Sequence, residues 1–373
     1  MKKLIYLYTT GGASYNPNPE ALSRDYLTSP TTNRYATAAS TDGVIYLLSK
    51  FAESTSTTVE IFIDSIYDCG HLPISPLCTL YVVPSISIVF SHISPGDIVF
   101  IRGGFRNWLP LIQSLHGQRQ NWILYYRANT AHGHWPYWDI TLNDLISTPT
   151  LSRTSSHTPF IKPVNESIFG PISTNSLIPE EYTFMIGASH IHNKKGQIFV
   201  ARALSAYHSL FGSVPPSILP GGYIRCGTSA ELQTLVSNPN LNITFASALK
   251  RPALALAMNR SRFFIHAGIG GQNDRGTLEA MCCGCMPIIA NAKSAAPFVS
   301  QFGFNLSSTN PEQFAQYLHT LATKTITWRQ KIASTYTRHN GIEIALSTFT
   351  RLINKIPYDI KPNRELAWEI CND

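Results

Sequence analysis

The most constraining feature of the sequence is a repeated alternation of short apolar runs with longer amphipathic stretches. Five such runs come before residue 130, each bounded by turn residues: LIYLYTT, VEIFID, TLYVVPS, DIVFIRG and NWILYYRA. Runs of this kind are typical of strands buried on both faces of a parallel sheet. The stretch NWLPLIQSLHG between the last two predicts a helix, and such helices cover the faces of the sheet. We therefore expect an α/β, Rossmann-like domain.

The alternation starts again in the second half of the chain. Strands are predicted at YTFMIGAS, GGYIRCG, ITFAS, RFFIHAG and MPIIAN, with helices between them. The segment from Ser147 to Pro171 is rich in Ser, Thr and Pro, as interdomain linkers are. The sequence thus predicts two doubly wound domains that face a central cleft. We expect them over residues 1–160 and 173–340, with a linker over 161–172.

Charge and cysteine content limit the partners and the compartment. The chain carries 29 Lys and Arg against 22 Asp and Glu, and a net charge of +7 favours an anionic ligand or neighbour, such as a phosphate-bearing substrate, a membrane surface or nucleic acid. No apolar run approaches the ~20 residues of a membrane span, which predicts a soluble protein and leaves peripheral membrane contact open. Seven cysteines without a secretion signal indicate reduced thiols and a cytoplasmic protein.

A glycine-rich turn and a short helix occupy the stretch HAGIGGQNDRGTLEAMCCGCMPII. Gly270 and Gly271 let the backbone turn sharply and approach a ligand closely, and Asn273 can cap the helix that follows. The free N–H groups and dipole at a helix start suit a phosphate. Glu279 can accept hydrogen bonds from a ribose diol. The alternative is a turn that serves close packing only.

Metal binding is the other chemistry that this region suggests. Cys282, Cys283 and Cys285 lack a second ligand pair at zinc-site spacing and lead into an apolar strand, so we expect small buried thiols. Two alternating histidine pairs lack carboxylates or cysteines in a ligand pattern. These pairs are His132 with His134, and His190 with His192. The sequence therefore predicts no metal site.

Three segments together resemble one family. RFFIHAGIGGQNDRGTLEAMCCGCMPIIAN is similar to the nucleotide-sugar signature of GT-B glycosyltransferases, especially the large retaining group whose helix reads L-E-A-M-A-x-G-x-P-V-I. FMIGASHIHNKKGQIFVARAL resembles the first strand and helix of that family's donor domain, and PFIKPVNESIFGP resembles its linker. The resemblance implies the GT-B fold, with residues 341–373 returning to the first domain. It also implies a metal-independent, retaining transfer from a UDP- or GDP-linked sugar, with no cofactor.

The resemblance also implies roles for individual residues. Glu279 takes the place of the Glu that holds the ribose, and Lys195, or its neighbour Lys194, takes the place of the Lys that grips the diphosphate. Lys195 is then the catalytic cation, because charge develops on the leaving diphosphate. The remaining residues expected to bind the donor are Gly11, Gly12, Gly187, Ser189, Gly270, Gly271, Gln272, Asn273, Arg275 and Thr277.

The sequence departs from the family pattern at two places. The family has another Glu eight residues before the ribose-binding one, where this chain has Gly271, so Gln272 or Asp274 is expected to contact the donor sugar. The family also has an Arg after the glycine of its first donor-domain strand, where this chain has Ala188. We expect Arg275, or a residue of the first domain, to supply that charge.

The acceptor is expected to bind loops of the first domain. The stretches RGGFRNW and RANTAHGHWPYW look exposed, and their rings and polar groups suit a glycan. The alternative is a packed loop core. The residues predicted to bind the acceptor are Arg102, Arg127, Asn129 and Trp135. His132 or His134 is a candidate general base if the enzyme inverts, and a retaining enzyme requires none.

Several other functions remain open at the level of sequence. They are a DNA-directed or lipid-directed glycosyltransferase, a nucleotide-sugar epimerase, and a non-catalytic protein that binds nucleotides or sugars. The basic charge keeps nucleic acid open as a partner. The sequence carries no sign of the oligomeric state.

Overall fold

The computed structural model describes most of the chain. The described residues are 2–9, 39–64, 70–102, 108–127, 137–143, 157–172, 180–187, 190–191, 196–220, 223–224, 229–246, 249, 251–268, 275–290, 304–305, 309–324, 328–357, 361–362, 367 and 369–370. The chain forms two compact units. The first consists of Met1–Asn165 and Ile342–Asp373, and the second of Glu166–Gly341.

The helices and strands follow one another in the order that the sequence predicts for α/β units. Up to residue 165 they are β1 (Leu4–Thr9), α1 (Ala39–Thr55), β2 (Val59–Asp64), β3 (Gly70–Ser75), β4 (Cys78–Val83), α2 (Ile86–Phe90), β5 (Ile98–Arg102), α3 (Leu109–Gln118), β6 (Trp122–Arg127), β7 (Ile140–Asn143) and β8 (His157–Pro159). The second unit contains β9 (Tyr182–Ile186), β10 (His190–Ile191), α4 (Gln197–Phe211), β11 (Ser217–Pro220), β12 (Tyr223–Ile224), α5 (Ser229–Val236), a 3-10 turn (Pro239–Leu241), β13 (Ile243–Ala246), α6 (Arg251–Asn259), β14 (Ser261–His266), α7 (Arg275–Cys282), β15 (Met286–Ile289), β16 (Phe304–Asn305), α8 (Pro311–Ala322) and α9 (Arg329–Asn340). Helix α10 (Ile342–Lys355) follows and belongs to the first unit.

The first unit is built on an eight-stranded sheet in the order β3-β4-β2-β1-β5-β6-β7-β8. Its strands run parallel except β3, which pairs antiparallel with β4. One face packs against α1 and α10 through residues such as Tyr6, Phe100 and Phe349. The other face packs against α3 through residues such as Ile101 and Leu111. Because both faces are buried, the strands read as nearly continuous apolar runs, as the sequence predicts.

The second unit is built on a six-stranded sheet in the order β13-β11-β9-β14-β15-β16. All neighbouring strands in it are parallel. The helix starts follow local rules. At α8, for example, the Asn310 side chain accepts hydrogen bonds from the N–H groups of Glu312 and Gln313, and Pro311 fills the first helical position. A doubly wound unit is therefore present here as well.

Six strands lie where the sequence indicates none: β3, β7, β8, β10, β11 and β16. β3 contains Gly70 and Pro73, and it forms at the edge of the sheet with an irregular register between Pro73 and Ser75. β8 falls inside the stretch whose composition indicates a linker, where it pairs with β7. Phe160, directly after it, is buried in the first core. β11 is only four residues long, SILP, and its apolar signal is too short to recognise.

The carboxyl ends of parallel strands lie at one edge of a sheet, and this edge is where α/β proteins bind ligands. In the first unit, β1, β5, β6 and β7 end there in Thr9, Arg102, Arg127 and Asn143. In the second unit, β9, β14 and β15 end there in Ile186, His266 and Ile289. Within the described part of the chain, no helix has the length and apolar character that a bilayer crossing needs.

Candidate functional site

The second unit packs its central strands closely at the carboxyl edge through Gly187. The Gly187 N–H donates to the carbonyl oxygen of Ile265 on β14 at 2.8 Å. A Cβ at Gly187 would lie 2.6 Å from Cζ of the Phe264 ring and 2.8 Å from that carbonyl oxygen. No side chain fits there, so the structure gives Gly187 a packing requirement. This requirement is independent of the donor contact that the sequence predicts for it.

Helix α4 starts against the end of the neighbouring strand. Gly196, its N-cap, has a φ of +76°, and a Cβ on it would lie 2.2 Å from the carbonyl oxygen of Ala267. Only glycine combines this left-handed backbone with so close an approach. The first turn of α4, with its N–H groups and positive dipole, is thereby held beside the residue that follows β14.

Helix α7 connects β14 to its parallel neighbour β15, so its N-terminus also lies at the carboxyl edge. Three residues of the predicted donor site lie on it: Arg275, Thr277 and Glu279. They are 9%, 3% and 3% exposed. The structure thus brings the first turns of α4 and α7 to one edge of the sheet, and two helix N-termini suit an anionic ligand.

Glu279 forms a buried ion pair with Arg251, the first residue of α6. Nη2 of Arg251 donates to Oε1 of Glu279 at 2.5 Å, and the two side chains are 4% and 3% exposed. The Arg251 guanidinium also lies over the ring of Phe169, with Cζ at 4.3 Å from the ring centroid. Charge pairing and stacking together fix the carboxylate in one position.

Sequence reasoning missed Arg251. The one available signal is its place in the first turn of a helix, where the dipole disfavours a cation. A cation there needs a compensating partner, and Glu279 provides it from 28 residues further along the chain. The identity of that partner depends on how α6 and α7 pack, which no local pattern encodes.

The segment Phe169–Ile172 is attached to both ends of α6. Asn259, the last residue of that helix, donates from Nδ2 to the Gly170 carbonyl at 2.9 Å and accepts the Ile172 N–H at 3.1 Å. Cys282 of α7 donates from Sγ to the Phe169 carbonyl at 2.7 Å. The Phe169 ring, on which Arg251 stacks, is therefore held in place by hydrogen bonds from α6 and α7.

The three cysteines after Glu279 are buried thiols, as the sequence predicts. Cys282, Cys283 and Cys285 are 5%, 1% and 0% exposed. Burial raises the pKa of the Cys285 thiol to about 12, and it raises the pKa of Cys282 and Cys283 as well. Such thiols are poor nucleophiles, because the thiolate is the reactive form. Among the residues that the structure describes, no group of His, Cys, Asp and Glu could hold a metal ion.

The first unit places polar groups at the carboxyl edge of its own sheet. Arg102 is 4% exposed, and its Cζ lies 4.9 Å from the ring centroid of Tyr126. Arg127 ends the next strand and pairs in register with Asn143, which is 3% exposed. The sequence singled out Arg102 and Arg127 but not Asn143. The prediction of an exposed aromatic at Trp108 is wrong, because that ring is 0% exposed and fills the core against α3.

Many of the predicted site residues lie outside the described part of the chain. They are Gly11, Gly12, Asn129, His132, His134, Trp135, Ser189, Lys194, Lys195, Gly270, Gly271, Gln272, Asn273 and Asp274. Their assignments remain predictions.

Comparisons with known proteins give a fold. No protein-family model and no curated protein sequence matches the chain. Sucrose-phosphate synthase from Thermosynechococcus elongatus matches with a TM-score of 0.65 and 13% identity, over 95% of this chain and 99% of that one. Anabaena HepE, solved with UDP and glucose, matches with a TM-score of 0.62 and 10% identity, over 95% and 100%. OtsA matches with a TM-score of 0.61 and 8% identity, over 96% and 100%.

These matches extend over both units, so they concern the whole architecture. The chain has the GT-B fold of glycosyltransferases, which confirms the fold class predicted from its sequence. At such low identities the likeness is one of fold.

Proposed function

We propose that this chain is a glycosyltransferase that moves a sugar from a UDP- or GDP-linked donor to a glycan acceptor. The observation that carries the proposal is the Glu279–Arg251 pair on two helices of the second unit. It presents a fixed carboxylate on the helix whose start lies at the ligand-binding edge of the sheet. HepE, which shares the fold, binds UDP and glucose, and this supports a nucleotide-sugar donor here.

In this proposal the donor nucleotide binds at the carboxyl edge of the second sheet. The ribose diol is held by the carboxylate of Glu279, and the diphosphate lies by the first turns of α4 and α7. Arg275, in the first turn of α7, then supplies a positive charge for the diphosphate. The resembling family has an arginine for this purpose at the position where this chain has Ala188. The backbone around Gly270 and Gln272 completes the cradle.

The chemistry that we propose is metal-independent and retaining. The leaving group is a nucleoside diphosphate, so the rate depends on neutralising the charge that develops on its β-phosphate. Lys195 is assigned this role because it directly precedes Gly196, the glycine that fixes the start of α4. A retaining enzyme needs no general base, so neither His132 nor His134 is required to act as one. The cysteine content supports a cytosolic location.

The ribose assignment is tested by Glu279→Gln. Glutamine keeps the shape and still accepts a hydrogen bond from Arg251, but it loses the charge that strengthens bonds to ribose hydroxyls. We expect roughly tenfold weaker binding of the matching UDP- or GDP-sugar in calorimetry. Glu312→Gln, on the exposed start of α8, is the matched control. Equal affinity in Glu279→Gln and the parent protein would remove the assignment.

Turnover is tested with a panel of UDP- and GDP-sugars and glycan acceptors. We expect release of the nucleoside diphosphate that increases when acceptor is added, and a product with the anomeric configuration of the donor. Conversion of the donor without acceptor would instead identify an epimerase. Nucleotide binding without any turnover would identify a non-catalytic binding protein.

A further inference from the structure

A buried cation lies at the carboxyl edge of the first sheet. The Arg102 side chain is 4% exposed and stacks on Tyr126. Among the described residues, Nη1 of Arg102 is buried and donates no hydrogen bond. No described carboxylate lies within ion-pair distance of it, whereas the buried Arg251 has Glu279 as its partner. A buried donor of a charged group that lacks an acceptor costs free energy, which a ligand that accepts from Nη1 would recover.

The strand register, together with the alternation of side chains along β5, gives the position of the Arg102 guanidinium in the first unit. Arg102 pairs in register with Tyr8 on β1 and with Tyr126 on β6, the two strands that flank β5. Alternate residues of a strand share a face, so Arg102 lies on the same face as Phe100. Phe100, Tyr8 and Tyr126 belong to the core that α1 and α10 cover. Arg102 therefore lies at the end of that covered face.

The N-terminus of α1 lies at the same edge and on the same face. Helix α1 connects β1 to its parallel neighbour β2, so it runs against the strands and begins at their carboxyl ends. Its 17 residues give it a full dipole, positive at this end. The helix packs closely in its first turns, since a Cβ at Gly43 would lie 2.1 Å from the Pro163 carbonyl oxygen.

Two positive features thus converge on one end of one face. Each of them favours an anion at this end of the face. We infer that Arg102 and the N-terminus of α1 form a binding site for an anionic group of a substrate, either phosphoryl or carboxylate. This inference rests on the proposed function in taking the ligand to be a glycosyl acceptor. The group belongs to an acceptor that carries its own anion, so the site lies within the first unit.

The test uses the full chain and its thermal unfolding. Arg102→Met removes a buried charge while keeping an apolar side chain over Tyr126. We expect the ligand-free variant to melt roughly 2–4 °C above the parent protein, because the cost of the buried charge is gone. Inorganic phosphate or pyrophosphate should raise the melting temperature of the parent protein but not that of the variant. Arg351→Met, an exposed change on α10 with the same loss of charge, should behave as the parent protein does in both measurements.

Separate ligands identify the source of the anion. Affinities for UDP, glucose 6-phosphate and glucose are compared between the parent protein and Arg102→Met. A roughly tenfold or greater loss confined to glucose 6-phosphate supports an anionic acceptor, and one confined to UDP would contradict it. Glucose should bind both proteins equally, because it carries no charge.

Two further results would overturn the inference. A lower melting temperature for ligand-free Arg102→Met would show that the guanidinium supports the fold. Equal stabilisation of parent and variant by phosphate, pyrophosphate, UDP and glucose 6-phosphate, or none in either, would show that no anion binds there. The outcome is separable from the proposed function, because it needs no turnover and no change at Glu279.

Discussion

At the scale of single residues, the central feature of the second unit is that its Glu279 carboxylate is held in place before any donor binds. Arg251 supplies the charge, and Phe169 supplies the surface against which the guanidinium lies flat. A planar, stacked guanidinium has little freedom left to lose. If Glu279 holds the ribose, Arg251 is the positioning residue that keeps the carboxylate aimed at it.

This role predicts a selective effect of Arg251→Lys. Lysine keeps the positive charge but loses the planar stacking and the fixed direction of the hydrogen bond. We expect affinity for the cognate nucleoside diphosphate to fall several-fold while affinity for its 2′-deoxy counterpart stays constant. UDP, GDP and their 2′-deoxy forms are compared by calorimetry.

The control is Arg260→Lys. Arg260 directly follows α6 and forms an exposed ion pair with Glu181. If the role of Arg251 were merely structural, Arg251→Lys would lower the affinities for ribose and 2′-deoxyribose nucleotides by the same factor. That result would contradict the positioning role.

The sequence identified half of this arrangement. Glu279 was found because its neighbours resemble a known motif and because a helix start has a local pattern. Arg251 was not found, because its role depends on a contact between α6 and α7 that no spacing rule predicts. Arg102 was expected in a polar loop, and its burial depends on which strands flank β5 and which helices cover them.

At the scale of elements, the start of α4 depends on the absence of a side chain at one position. Gly196 combines a positive φ with backbone contact to Ala267, and this sets the distance between the helix start and β14. Gly212 ends the same helix with a φ of +77°, but a Cβ there would meet nothing within 4 Å. Replacing Gly212 therefore tests the backbone strain alone, whereas replacing Gly196 tests that strain together with the steric overlap with Ala267.

Gly196→Ala should destabilise the protein more than Gly212→Ala. Each alanine has the strain of a left-handed backbone, about 1–2 kcal/mol, and at Gly196 the overlap with Ala267 adds roughly 1–3 kcal/mol. Denaturant unfolding of both variants measures the difference. Gly196→Ala should also weaken nucleotide binding, because the helix start moves away from the edge of the sheet. Equal losses of stability would mean that the contact with Ala267 is unimportant.

The elements themselves were predictable to different degrees. Strands buried on both faces, such as β5 and β14, have long apolar runs, and the start of α8 has a polar cap followed by proline. The strands that escaped prediction have weaker signals. β3 includes Gly70 and Pro73, which are unfavourable in a central strand but tolerated at an edge. β8 has three residues and forms because β7 offers it an edge.

At the scale of the whole molecule, stability should depend on pH through Asp139. Its Oδ2 accepts the Ile123 N–H at 2.8 Å, yet burial dominates and raises the pKa of this carboxyl to about 6. Because the folded pKa lies above the unfolded one, stability is full below the unfolded value, near 4, and is lost as the pH rises through 6. The loss amounts to about 3 kcal/mol.

Asp139→Asn should remove this pH dependence. The variant should match the parent protein near pH 4 and exceed it in unfolding free energy at pH 7, because asparagine can accept the same N–H without a buried charge. Chemical denaturation across this pH range measures the effect, and Glu53→Gln on the exposed side of α1 is the control. Parallel curves for parent and Asp139→Asn would contradict the assignment.

The division of the chain has a consequence for its synthesis. The first core begins with β1 and includes Ile342, Phe349 and Ile356 from α10 and its end. All of Glu166–Gly341 lies between these parts in sequence. A ribosome therefore releases the whole second unit before the residues that finish the first core. Until α10 is synthesised, one apolar face of the first sheet lacks part of its cover. The N-terminal unit of this chain is therefore the last to complete its fold.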